Sequence, residues 1–253
     1  MNNQPLAKRF IGLTLAPGVI PKNAIVFYFA CLFSIMVATF IPQGQPFLLT
    51  EFLNIPQSEH GKTSGFINFW AEVVIILATM VAGPLSDKIG RKAVTSTGFF
   101  LMALGTFLYP YAESVLHLTI FRCIYALGIA AASCMIVTIV ADYFEDENRG
   151  KATGLLGVMN GLGAMTTVFL LLRLPAFFQN QGMTAIEAGH ASYTLVAVLT
   201  LLMGIATMLW LKKHDRDQVQ VHESLKHQIK EGLAAASDLG IRLAYSASFL
   251  ARG

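Results

Sequence analysis

Along the chain, apolar residues gather into long unbroken runs separated by short polar stretches. Six runs stand out: Asn23–Leu49, Thr63–Ser86, Ala93–Ala112, Val115–Ala141, Ala152–Leu172 and Ala188–Leu211. A helix rises about 1.5 Å per residue, so roughly 20 apolar residues cross the ~30 Å hydrocarbon layer of a bilayer, and each run is that long. The runs are continuous and do not alternate, which excludes the ~10-residue, period-two strands of a membrane barrel. The pattern predicts an all-α membrane protein, a bundle of six transmembrane helices over residues 23–211, after a polar segment 1–22. Beyond Leu211 the chain turns polar. Residues 212–238 read as a central loop, with a short surface helix expected over Glu223–Ala236. Apolar character resumes at Leu239, and the roughly 15 residues to Gly253 are too few to cross. Residues 239–253 read as the start of a seventh helix, which would make the chain a fragment; an interfacial tail is the alternative.

Composition strengthens this picture. Hydrophobic residues make up 55% and charged ones 13%, and the mean hydropathy is +0.58. Soluble domains carry about 25% charge, so this chain has too little to cover a globule in water. The net charge of +3 matters less than where the cations stand. With the N-terminus inside, the cytoplasmic segments hold Lys8, Arg9, Lys22, Lys88, Arg91, Lys92, Arg149, Lys151, Lys212, Lys213, Arg216, Lys226, Lys230 and Arg242. The outer segments then hold only Lys62 and Arg173. The excess of Lys and Arg on one side places the N-terminus in the cytoplasm, with the protein spanning a cell membrane, the inner membrane in a bacterium. The first run is too long for a signal peptide. Cys31, Cys123 and Cys134 all fall inside spans, where they act as small apolar residues; no metal set or cofactor motif is present. No basic patch with interleaved aromatics marks a nucleic-acid partner.

Between the second and third runs the chain reads Gly83-Pro84-Leu85-Ser86-Asp87-Lys88-Ile89-Gly90-Arg91-Lys92. This resembles the signature of the major facilitator superfamily, G-x-x-x-D-[RK]-x-G-R-[RK], at every defined position and at the matching loop. Two further stretches resemble that family: Arg122 followed by Gly128 in the fourth run, and Arg149-Gly150 opening the fifth. The resemblance implies a transporter of about twelve spans, of which this chain forms the N-terminal half. It also implies a partner, the C-terminal six-helix half. Read physically, Gly83 and Gly90 let helix ends approach. Asp87 can accept hydrogen bonds from a neighbouring helix N-terminus. Arg91 can bridge to Asp142 or Glu145 at the end of the fourth span. Together with Lys88 and Lys92 these groups form a candidate latch that breaks when the halves move. Gly150, Gly154, Gly157, Gly161 and Ala164 share one face of the fifth helix and are expected to support close helix contact. The Pro of the drug-antiporter pattern in that helix is missing after Gly157 and Gly161.

Two ionisable residues lie deep within spans, Glu72 and Arg122. Each costs at least about 2–3 kcal/mol near the bilayer centre and so points to function. Counted from the outer helix ends, they lie about 13 and 11 Å deep. That similar depth makes a Glu72–Arg122 pair an open possibility. Arg122 is the candidate for an anionic group of the substrate, and Glu72 for a proton or cation. Asn68, one turn away, and Gln43, Gln45 and Asn160 complete the candidate cavity. The function expected is secondary active transport of a small solute by alternating access, coupled to protons or another ion. A drug–proton antiporter is the alternative within the family, and a non-transporting receptor or assembly protein the alternative outside it. An intramembrane enzyme is disfavoured, because no Gly-x-Ser-x-Gly motif occurs and the histidines fall in loops or helix ends.

Overall fold

A computed structural model describes residues 8–213. The expected central loop and seventh helix lie outside the described residues.

Six long helices are present, one for each apolar run. They are α1 (Pro21–Glu51), α2 (His60–Ile89), α3 (Arg91–Leu108), α4 (Val115–Tyr143), α5 (Arg149–Phe169) and α7 (Ala185–Trp210), with a short α6 (Leu174–Asn180) between the last two. The boundaries moved where local chemistry outweighs hydropathy. The second helix begins before Thr63 because polar residues from His60 onward extend it past the apolar run. The fifth stops at Phe169, and the chain passes through a 3-10 turn into α6. The last starts at Ala185, where Thr184 and Glu187 form a reciprocal cap: the Thr184 hydroxyl accepts from the Glu187 N–H and the Glu187 carboxylate from the Thr184 N–H.

Only Gly90 separates α2 from α3, with φ +94° and ψ 143°. That backbone conformation is open to glycine and costly for any residue with a Cβ. Gly90 therefore serves the turn itself. Among the described residues, no heavy atom lies within 4 Å of where a Cβ would stand at Gly90 or at Gly83, so neither admits a close helix approach there, contrary to expectation.

The core holds α1 in the middle, against α5 on one side and α4 and α7 on others, with α3 packed against both α4 and α7. Two interlocks set these distances. At Gly128 on α4, a Cβ would stand 2.5 Å from the Met102 nitrogen of α3, and at Gly98 it would stand 2.9 Å from the Gly128 oxygen. At Gly163 on α5, a Cβ would meet the Leu32 carbonyl of α1 at 2.5 Å. The face of α5 expected to make close contact is a different one, and this corrects the sequence reading. Gly150, Gly154, Gly157 and Gly161 have nothing within 4 Å among the described residues. Spacing alone shows that these glycines share a face, but not which face meets α1. We therefore expect Gly128→Leu to lower stability by about 1–3 kcal/mol through overpacking against α3. Gly157→Leu should leave the thermal unfolding midpoint of this chain in detergent unchanged. Equal midpoints for the two variants would remove this account.

Burial is uneven. In α1 and α3, 61% of the apolar stretch is buried, against 17% in those of α2 and α5. At the other end of the molecule, the polar N-terminal segment adds a feature that hydropathy does not show. Arg9–Phe10 and Leu13–Thr14 form a small hairpin turning through Ile11 and Gly12, both at positive φ. Leu15 then pairs with Phe144 in the α4–α5 connection, and the Ala16 N–H donates to the Tyr143 carbonyl.

Candidate functional site

The polar cluster inside the bundle starts on α1. Pro42 and Pro46 lack N–H groups, so the carbonyls one turn earlier, on Ala38 and Pro42, lose their helical donors, although the helix continues. Between them, Gln45 turns inward and is 1% exposed. Its Nε2 donates to the Ser64 hydroxyl of α2 at 2.9 Å, and its Oε1 accepts from the Tyr109 hydroxyl at 2.9 Å. Both ends of the amide are thereby satisfied, and α1, α2 and the end of α3 are joined at one point.

Arg122 of α4 lies beside this chain of bonds. It is 8% exposed, and its Nε and Nη1 have no hydrogen-bond partner among the described residues. Its guanidinium carbon stands 5.1 Å from the centre of the Tyr125 ring. The phenols of Tyr109, Tyr125 and Tyr193 all lie within reach of its charge. Tyr193 stacks on Tyr109 with ring centres 6.0 Å apart, and the hydroxyls of Tyr125, Tyr193 and Thr106 are buried without partners among the described residues. A cation ringed by neutral phenols, with two unused donor nitrogens, is arranged to take a carboxylate, phosphate or similar anion.

Glu72 does not supply that anion. It is exposed on α2, and no Glu72–Arg122 ion pair within 4.0 Å exists among the described residues. Depth along the helix is legible in a sequence, but direction around the helix is not. Ile67 and Ala71 take the inward side of α2, leaving Glu72 turned away from Arg122. Asn68, one turn before Glu72, is half-buried with an unpartnered Oδ1. Asn160 is half-buried on α5. Gln43 faces away from Gln45. It lines a niche of about 260 Å³ between α1 and α6 with Phe40, Phe47, Pro175 and Gln179, and Tyr193 stands between this niche and the Arg122 cluster. The structure thus brings Gln45 and Arg122 into one cluster and leaves Gln43, Glu72 and Asn160 outside it. Sequence reasoning missed the tyrosines. Tyr125 and Tyr193 stand well inside apolar runs, and a phenol in such a place needs a polar partner, which was the available signal.

The loop motif forms a second polar group. Arg91, at the start of α3, pairs with Asp142 near the end of α4, and the two side chains are 20% and 32% exposed. Asp87 and Lys88 are exposed on the last turn of α2, and Glu145 is exposed without an ion-pair partner among the described residues. Lys92 donates to the Leu209 carbonyl of α7 at 3.2 Å. Asp87 accepts no hydrogen bond among the described residues, so the helix N-terminus expected to meet it is not found there. Elsewhere, Phe66, Trp70 and Val74 of α2 form an apolar groove of about 470 Å³ with Leu116, Cys123 and Leu127 of α4, on the side of α2 opposite Glu72.

Comparison with known proteins bears on the family and the fold. The family model described as Major Facilitator Superfamily matches residues 27–250. The chain is 35% identical over 94 residues to Multidrug resistance protein 3 of Bacillus subtilis, covering 37% of this chain and 18% of that protein. It is 24% identical over 230 residues to the magnetosome protein MamZ of Magnetospirillum gryphiswaldense, covering 86% of this chain and 34% of that protein. Among solved structures, the human organic anion transporter MFSD10 (TETRAN) superposes with a TM-score of 0.60 at 14% identity, over 76% of this chain and 42% of that one. The chain therefore spans less than half the length of each of these proteins.

Proposed function

Since the chain belongs to the major facilitator superfamily, an integral, multi-pass class of membrane transporters, we propose that it acts as the N-terminal six-helix half of a secondary transporter for a small solute bearing an anionic group. Transport proceeds by alternating access, with the solute held between this bundle and a second one. The observation that carries the reading is Arg122, buried among phenols with two donor nitrogens unused. Such a charge costs about 2–3 kcal/mol or more near the bilayer centre, and an anion arriving from water recovers that cost.

The open sides of α2 and α5 support a second bundle as partner. Glu72, Asn68 and the glycine face of α5 lie on these sparsely buried helices. In this reading Glu72 takes the coupling proton or cation at the cleft. In the same reading Asp87 and the Arg91–Asp142 pair form the latch at the cytoplasmic end, and the N-terminus lies in the cytoplasm, as the excess of Lys and Arg on that side supports. Drug–proton antiport is the second reading, favoured by the likeness to Multidrug resistance protein 3.

The test is uptake by a full-length protein carrying both halves, reconstituted in vesicles with an imposed pH gradient. Labelled carboxylates and phosphate esters are expected to enter saturably and to compete with one another, while uncharged analogues do not compete. Flux of cationic dyes alone, with no anion transported, would replace this reading by the antiporter one. No flux of any solute would point to a protein that keeps the fold without transport.

A further inference from the structure

The outer side of α7 carries an apolar column of Val198, Leu201, Leu202, Ile205, Met208 and Leu209, all exposed, and Trp210 follows at the end of the helix on the neighbouring flank, 42% exposed. An exposed Trp at the end of such a helix marks the level where hydrocarbon gives way to headgroups. At that level three lysines from distant parts of the chain converge. The Lys22 ammonium lies 4.4 Å from the centre of the Trp210 ring. Lys92 donates to the Leu209 carbonyl at 3.2 Å, and Lys212 donates to the Pro17 carbonyl at 2.9 Å. Lys213 is exposed beside them. The placement is fixed by the fold: Asn23 ties the start of α1 to the end of α7 by donating to the Trp210 carbonyl at 2.6 Å. Lys212 is held by its own N–H, which donates to the Tyr143 hydroxyl.

None of these four ammonium groups has a carboxylate within 4.0 Å among the described residues, where the ion pairs are Arg91–Asp142 and Arg149–Asp146. The C-terminal end of α7 offsets only about half a unit charge. Each ammonium has three donors, and the bonds above use one on Lys92, one on Lys212 and none on Lys22.

We propose that this corner is a binding site for one anionic phospholipid. Its phosphodiester sits between Lys22 and Lys92 beside Trp210, and its acyl chains run along the exposed column of α7. The choice of a lipid over a soluble phosphate rests on that column, which a free anion would leave uncovered. A zwitterionic lipid would bring its own ammonium to the same lysines, and so is discriminated against.

The chain has two tryptophans, Trp70 and Trp210. Trp70→Phe leaves Trp210 as the sole tryptophan, excited apart from the tyrosines at the red edge of absorption. The full chain in mixed micelles is titrated with phosphatidylglycerol and with phosphatidylcholine, each brominated on its acyl chains, and quenching of Trp210 is read. Phosphatidylglycerol is expected to bind roughly 10–30-fold more tightly than phosphatidylcholine, from about a kilocalorie per mole for each of two lysines. In Lys22→Gln/Lys92→Gln the preference should vanish while both lipids still quench, which shows that the helix is folded and lipid-facing. Lys22→Arg/Lys92→Arg should retain it. Equal binding of the two lipids by the parent, or a preference that survives the double Gln variant, overturns the proposal. So does displacement of phosphatidylglycerol by millimolar inorganic phosphate, which would assign the site to a soluble anion.

Discussion

Arg122→Gln in a full-length transporter is expected to lower anion transport by 100-fold or more, while the thermal unfolding midpoint of the bundle stays unchanged or rises. The two effects have one origin. Arg122 is buried, and its Nε and Nη1 meet no acceptor among the described residues. Without a bound anion, the contact with the Tyr125 ring offsets only part of the desolvation cost of this side chain, and a shorter, neutral amide lowers that cost. With the anion present, two charge-assisted hydrogen bonds at about 1.5–3 kcal/mol each are lost, together about 3 kcal/mol or more. At about 1.4 kcal/mol per tenfold, that exceeds a factor of 100. Arg122→Lys keeps the charge without the planar fork, so it should fall between the two. Flux is measured in vesicles and unfolding in detergent. A Gln variant that unfolds several degrees earlier and still transports would make Arg122 a structural residue.

Breaking the Arg91–Asp142 pair is expected to have the second-largest effect. The pair joins the start of α3 to the end of α4, and both side chains are mostly covered, at 20% and 32% exposure. It falls between the surface case, where an ion pair contributes at most about 1 kcal/mol, and the buried case, where removing one partner costs about 3–5 kcal/mol. Asp142→Ala should therefore destabilise the chain by about 1–3 kcal/mol and lower the unfolding midpoint accordingly. In the full-length protein it should also slow transport, because a latch that no longer holds shifts the balance between the two open states. The swap Arg91→Asp/Asp142→Arg should recover part of the midpoint, and a double-mutant cycle should show coupling of about 1 kcal/mol or more. Additive single effects would mean that the two groups do not act together.

The number and order of the six long helices among the described residues could be read from hydropathy alone, because a bilayer imposes one length and one polarity on every crossing segment. Part of the candidate site was legible for the same reason: a charge such as Arg122 is conspicuous where charges are costly. The direction each side chain faces was harder to read. Glu72 and Arg122 lie at similar depth, yet Ile67 and Ala71 take the inward side of α2 and leave Glu72 exposed. Gln43 and Gln45 differ by two positions, just over half a turn, and end on different sides of α1. Periodicity indicates which residues share a face, but the neighbour of that face is set by contacts far away in sequence. The fifth helix shows this most clearly: its four regularly spaced glycines stay open, while Gly163, outside that pattern, touches α1. The N-terminal hairpin was missed because it is too short to generate a period, although Gly12 between two apolar residues hinted at a turn.

The hairpin and the segment after it find their partners late. Leu15 pairs with Phe144, which the ribosome supplies only after four helices have been made, and Asn23 waits for the carbonyl of Trp210, 187 positions on. The start of the chain thus lacks these partners until α4, and then α7, have been made.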